Sequence, residues 1–258
     1  MKEVASAWMR RLSLVAILLA ALLGGGSRLK ATRPARDDRG QQIGPHIATS
    51  FSEVVRGVKG KRQIALTFDA GANADCFDDL IATLEAAHVR STFFITGNFA
   101  QRNEQCAKAI VKRGHEIGNH TWSHADLTKQ SDDIVREEIV RGEMLLTEIS
   151  GRSPRPRFRA PFGERNARVL RIAAQLGYRS IYWTLDSLDS VEPRKTPEFL
   201  IDRITSRTDD ELDGAIILMH VGIKSTADAL PVIVAELQRR GFKLVTISTL
   251  LDTGQSRR

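Results

Sequence analysis

From Gln63 onward, short apolar runs alternate with longer stretches whose apolar residues recur at helical spacing. Ile64–Phe68, Thr92–Ile95, Tyr178–Leu185, Ala215–Met219 and Lys243–Ile247 read as strands, as does the short run before His120. Phe77, Leu80, Ile81 and Leu84 mark one face of a helix that Asp75 could cap. Further helices are expected around Cys106–Val111, ending at Gly114, and over Ser131–Ile149, Asn166–Leu176, Pro197–Arg207 and Ala227–Arg240. Strands separated by helices predict an α/β domain with a parallel sheet and crossover helices. No fixed-period repeat is present, which argues against a solenoid or propeller.

The first sixty residues follow a different pattern. Lys2 and the Arg10-Arg11 pair precede an apolar run from Leu12 to Leu23. That is the form of a secretory signal, and it is short for a membrane span. Residues 1–26 are therefore expected to be a signal peptide or a retained N-terminal anchor, which offers membrane association. Residues 27–59 read as a basic linker, and 60–255 as one folded domain. The protein is expected to be exported, to the periplasm, the cell exterior or an outward-facing membrane anchorage, and to be a monomer.

Composition narrows this reading only slightly. An apolar share of 42% and a charged share of 27% over 258 residues are those of a globular domain with a sizeable core. The net charge of +7 is concentrated near the N-terminus, with neither a basic-aromatic RNA-binding motif nor zinc-finger spacing. No nucleic-acid partner is expected; a basic surface would also suit a polyanion such as a cell wall. Two cysteines, Cys76 and Cys106, are too few for a disulfide scaffold or a cysteine-based zinc site. One bridge or two separate thiols both remain open.

The chemistry gathers at strand ends. His120 and His124 follow a short strand and a Gly-Asn turn, and imidazoles four residues apart can reach one ion. Such a pair taken alone is equally a polar loop. Asp69, Arg159, Asp186, Asp189 and His220 also lie just after strand-like segments, which in a β/α barrel is the catalytic face. His88 and His115 read as structural or solvated.

Five segments occur in order: Thr67-Phe68-Asp69-Ala70-Gly71, His120-Thr-Trp-Ser-His124, Arg159-Ala-Pro161-Phe162-Gly163, Asp186-Ser-Leu-Asp189 and Leu218-Met-His220. Together they resemble the motifs of the polysaccharide deacetylases, carbohydrate esterase family 4, with the NodB homology domain, over about residues 60 to 250. The resemblance implies a distorted (β/α) barrel and metal-dependent removal of acetyl groups from an acetylated polysaccharide, peptidoglycan or a chitin-like polymer. It implies a divalent metal on His120 and His124, zinc or alternatively cobalt. Asp69 would be the general base and His220 the general acid, with Arg159 holding Asp69 ionised and Asp189 orienting His220. Pro161, Phe162 and Leu218 would wall the acetyl pocket.

Two positions depart from the family pattern. Ala70 stands where a second, metal-binding carboxylate is usual, so water, Asp69 itself, Asn73 or Asp75 would have to complete the metal's shell. Ser190 stands where tryptophan is usual, which alters one wall of the groove. Ala70 also motivates an alternative reading, a glycan-binding pseudoenzyme with weak or no turnover.

Overall fold

The computed structural model describes residues 53–252; the signal-like segment and most of the basic extension lie outside them. Eight parallel strands form one curled sheet: β1 (Gln63–Ala70), β2 (Thr92–Ile95), β3 (Glu116–Asn119), β4 (Arg157–Phe158), β5 (Arg179–Ser180), β6 (Leu185–Asp186), β7 (Ile216–His220) and β8 (Lys243–Leu244). Their order is β5-β4-β3-β2-β1-β7-β6, with β8 beside the start of β1. Helices α1 (Phe77–Ala86), α2 (Gly97–Arg102), α3 (Glu104–Lys112), α4 (Asp132–Ser150), α5 (Ala167–Gln175), α6 (Pro197–Thr205), α7 (Asp209–Leu212) and α8 (Lys224–Arg239) occur along the crossovers, and α9 (Ile247–Leu251) ends the described chain. This is the parallel α/β sheet that the alternating pattern predicts, curled into the distorted (β/α) barrel that the family resemblance implies.

Strand β1 is central, and all but its first residue are buried. Its side chains alternate: Leu66, Phe68 and Ala70 join the apolar layer shared with the helices, whereas Ala65 belongs to a separate inner cluster with Phe94, Ile181 and Ile216. Thr67 and Asp69 share the inner face, so β1 carries its polar residues inward at its C-terminal end. Register places Asp69 level with Phe94 of β2 and His220 of β7.

Three boundaries depart from expectation. The linker was expected to run to residue 59, but Val54 bridges to Ile181 and Arg56 to Ala215, joining the walls on either side of the β5–β6 break. Tyr178–Leu185 is not one strand: β5 and β6 are separated because Tyr182 N–H donates to Val54 and Thr184 N–H to Ile216. Lys243–Ile247 shortens to β8, and Ile247 begins α9, which stops the N-terminal end of the barrel with Ile247 and Leu250. Among the described residues, no helix is long and apolar enough to cross a membrane. Cys76 and Cys106 are free thiols.

Candidate active site

A cavity of about 510 Å³ opens at the C-terminal ends of the strands. Asp69, His120, His124, Phe162, Leu218 and His220 all line it. Behind them, two buried ion pairs fix the chemistry.

The first pair is Asp69 with Arg159. Arg159 Nη1 donates to Asp69 Oδ1 at 2.7 Å and to Thr67 Oγ1 at 2.9 Å. Its Nε donates to the Ile181 carbonyl, its Nη2 to the Tyr182 carbonyl, and the Phe94 ring lies 4.1 Å from its carbon centre. Arg159 is only 1% exposed, and this web of partners makes its burial tolerable. Burial by itself would raise the Asp69 pKa, but the Arg159 charge and hydrogen bond, with His120 and His220 nearby, outweigh it and hold the carboxyl below its ordinary value. Asp69 is thus an ionised carboxylate with Oδ2 left for the cavity.

The second pair is Asp189 with His220. Asp189 is fully buried, and it accepts from His220 Nδ1 at 2.7 Å, from the His220 backbone N–H at 2.8 Å and from the Thr226 hydroxyl. Burial acts to depress the His220 pKa, yet the hydrogen bond and charge of Asp189, with Asp69 and Asp186 behind, keep it above its ordinary value. With its Nδ1–H committed to Asp189, His220 presents Nε2 to the cavity side, where the Ser190 hydroxyl stands 3.5 Å away.

The same cavity is lined by two other histidines. His120 Nδ1 meets the Arg159 carbonyl at 2.9 Å. A carbonyl only accepts, so the proton must sit on Nδ1, leaving Nε2 as a bare lone pair. That Nε2 faces Asp69 Oδ2 at 3.5 Å. Two acceptors at this distance make no hydrogen bond, so both lone pairs stay open to the cavity. Burial, then the neighbouring His120, pushes the His124 pKa down to about 4, so it too is a neutral imidazole. Its ring stands 4.9 Å from that of His120.

This donor set is compatible with a divalent ion, which His120 and His124 would hold. It is an open set: among the described residues, no three histidine, cysteine or carboxylate side chains are gathered to enclose a metal. Ala70 is fully buried in the helix-facing cluster and offers nothing. Asn73 and Asp75 do not fill the gap either. Neither lines the cavity, and Asn73 Oδ1 accepts the Asp75 backbone N–H.

The polysaccharide deacetylase sequence profile matches residues 56–181. A chitooligosaccharide deacetylase from Bradyrhizobium sp. is 30% identical over 202 residues, covering 72% of this chain and 90% of the relative. The chain belongs to the polysaccharide deacetylase family. Peptidoglycan-N-acetylglucosamine deacetylase from Bacillus cereus is 29% identical over 227 residues, covering 86% of this chain and 80% of that one. Among solved structures, a mutant of BA3943 superposes with a TM-score of 0.73 at 30% identity, covering 79% of this chain and 72% of that one. BA3943, from Bacillus anthracis, is described as a CE4 family pseudoenzyme, and this mutant as having restored enzymatic activity.

Most of the deacetylase motif residues converge on the cavity. Phe162 stands in the left-handed region at φ 58° and is 66% exposed, with its ring edge against His124 at 4.4 Å. Leu218 is a buried wall, and Pro161 lies beneath the surface outside the cavity lining. Sequence reasoning missed Trp183, Arg194 and Ile223, which also line the cavity. No spacing signal marks them, because each arrives from a loop whose path only the folded sheet defines.

Proposed function

We propose that this chain is an exported, metal-dependent deacetylase that hydrolyses the N-acetyl groups of peptidoglycan or a chitin-like N-acetylhexosamine polymer, and that it works as a monomer. The observation that carries this reading is the convergence on one cavity of two tuned groups, an arginine-locked carboxylate and an aspartate-locked imidazole on adjacent strands, together with two neutral histidines. Named relatives act on peptidoglycan and on chitooligosaccharides, which supports the substrate class.

Amide hydrolysis needs an activated water, charge stabilisation at the carbonyl oxygen and a proton for the departing amine. A divalent ion on His120 and His124, zinc or cobalt, would supply Lewis acidity toward water and the acetyl carbonyl. Asp69 takes the water's proton on Oδ2, since Oδ1 is engaged by Arg159. His220, protonated at Nε2, delivers a proton to the sugar nitrogen as the C–N bond breaks, and Asp189 stabilises the imidazolium. Acetate and the free amine leave. Phe162 and Leu218 form the apolar walls that receive the acetyl methyl.

The test is acetate release from peptidoglycan and chitooligosaccharides after zinc or cobalt is restored to chelated protein. Turnover that is absent from a broad glycan panel, and unchanged by His124→Ala, would end this reading. The competing pseudoenzyme reading, motivated by Ala70, instead predicts saturable glycan binding without acetate and without stoichiometric metal.

A further inference from the structure

The loop that carries the two histidines has an unfavourable backbone. Thr121 and His124 both adopt left-handed conformations, at φ 70° and 66°, which branched and bulky side chains avoid. Such a conformation persists only where surrounding contacts impose it. From the strand side, Asn119 Oδ1 accepts the Thr121 N–H at 2.9 Å, while its Nδ2 donates to the Ile139 carbonyl and the Tyr178 hydroxyl. From the helices, the α2 amides of Gly97 and Asn98 donate to the Thr121 and Trp122 carbonyls, and α4 contributes one carboxylate. Glu138 of α4 accepts the Trp122 N–H at 3.1 Å and the Ser123 N–H at 2.8 Å on Oε2, and the Ser123 hydroxyl at 2.7 Å on Oε1.

We propose that Glu138 is the positioning residue of the metal-holding pair, acting through the backbone of Trp122 and Ser123 to set His124 relative to His120. The proposal rests on the reading that these two histidines hold a divalent ion. Two successive amides that donate into one oxygen must turn the same way, which fixes the peptide planes between the histidines. The His120 ring has its own hydrogen-bonded anchor in the Arg159 carbonyl, whereas the His124 ring has ring contacts with His120 and Phe162, and its backbone N–H donates to Thr121 Oγ1 within the same loop. The placement of His124 therefore depends on the clamp far more than that of His120. A carboxylate suits the role, because amides donating to a charged oxygen form stronger bonds than those to a neutral one.

The rest of α4 is shaped for this contact. A Cβ at Gly142 would sit 2.8 Å from the Thr121 carbonyl oxygen, so only glycine lets the helix approach so closely. Arg141 lies over the Trp122 ring at 4.3 Å, and that ring fills the space where a Cβ on Gly97 would fall.

The test compares Glu138→Ala, Glu138→Asp and Glu138→Gln with the wild-type chain by amide hydrogen exchange and by zinc titration against a chromophoric chelator. Alanine, and aspartate with its shorter reach, are expected to speed exchange at Trp122 and Ser123 at least about tenfold while β1 and β7 amides stay protected. They are also expected to weaken zinc binding about 10- to 100-fold, the range for residues that orient metal ligands. Glutamine keeps one oxygen for both amides and should stay within about threefold of wild type on both readouts. If alanine fails to fold, aspartate decides the matter. A folded variant that melts lower, yet binds zinc and protects the loop amides like wild type, would show Glu138 to be merely structural and overturn the proposal. A wild-type protein that takes up neither zinc nor cobalt overturns the metal reading instead, and the exchange data then judge the clamp alone.

Discussion

Asp189 grips His220 at two points, its Oδ1 on the imidazole Nδ1 at 2.7 Å and its Oδ2 on the backbone N–H of the same residue at 2.8 Å. The carboxylate thereby sets both the charge of the ring and its direction. It is itself held ionised: burial acts to raise the Asp189 pKa, and its bonds to His220 and Thr226 outweigh that and lower it.

Asp189→Asn tests this relationship through pH. His220 must carry its proton to act as the acid, so activity falls as pH rises through its elevated pKa. Removing the negative charge lowers that pKa, and the alkaline limb of the pH–rate profile should move to lower pH. The rate at neutral pH is expected to drop about 10- to 100-fold. The charged pair also stabilises the fold. That contribution is present in full below the ordinary histidine value and is lost as pH rises through the higher folded value. The stability gap between wild type and variant should therefore narrow as pH rises above the ordinary histidine value and through the higher folded one. A limb that stays in place in the variant would exclude this role for Asp189.

Arg159→Met acts on the opposite pair. The variant leaves the Asp69 carboxylate buried without its partner, a loss of about 3–5 kcal/mol in denaturant unfolding. The Asp69 pKa then rises, since burial is the one large influence acting against ionisation. The acid limb of the rate profile should shift to higher pH. In the wild type, the depressed pKa contributes stability above the ordinary carboxylate value, and that stability is lost as pH falls through the folded value. Unchanged unfolding together with an unchanged acid limb would refute the pairing argument.

Ala70→Asp places a carboxylate where the chain now has a methyl group in the helix-facing core. Without metal, an ionisable group there is unpaired and should cost about 1–3 kcal/mol or more. With zinc, it can turn toward His120 and His124 and complete a three-ligand site. The variant should therefore melt below wild type in chelator and gain more than wild type on adding zinc. Equal zinc-induced shifts in thermal melting for the two proteins would count against the idea.

Phe162→Ala removes an exposed ring that flanks His124 at the cavity mouth. Losing one aromatic contact of about 1 kcal/mol corresponds to about a fivefold rise in KM. Melting should barely move, because the side chain is mostly in solvent. A large fall in stability with KM unchanged would make the ring structural instead.

The alternation of strands and helices was readable because β1, β2 and β7 are central and mostly apolar, and because helices such as α4 carry a one-sided apolar stripe. The ends of the barrel were not readable. Val54 and Arg56 look like a basic linker, and their place in the wall comes from backbone bonds to distant carbonyls and amides, to which side-chain pattern is blind. Ile247 extends an apolar run that suits a strand, yet its N–H is taken by Thr92 Oγ1, where it opens a helix that closes the barrel floor.

The sequence by itself determined the chemical inventory and its order: a carboxylate at Asp69, an imidazole pair at His120 and His124, Arg159, Asp189 and His220. Each follows a strand, and all strands of a parallel sheet end on the same side, so their convergence followed from periodicity alone. The tertiary structure alone decided how those groups are tuned. The tautomer of His120 depends on a carbonyl 39 residues away, the ionisation of Asp69 on an arginine 90 residues away, and the path of the histidine loop on Glu138 of a neighbouring helix. Hydrogen bonds and charge pairs act over a few ångströms in space, and separation along the chain carries no record of them.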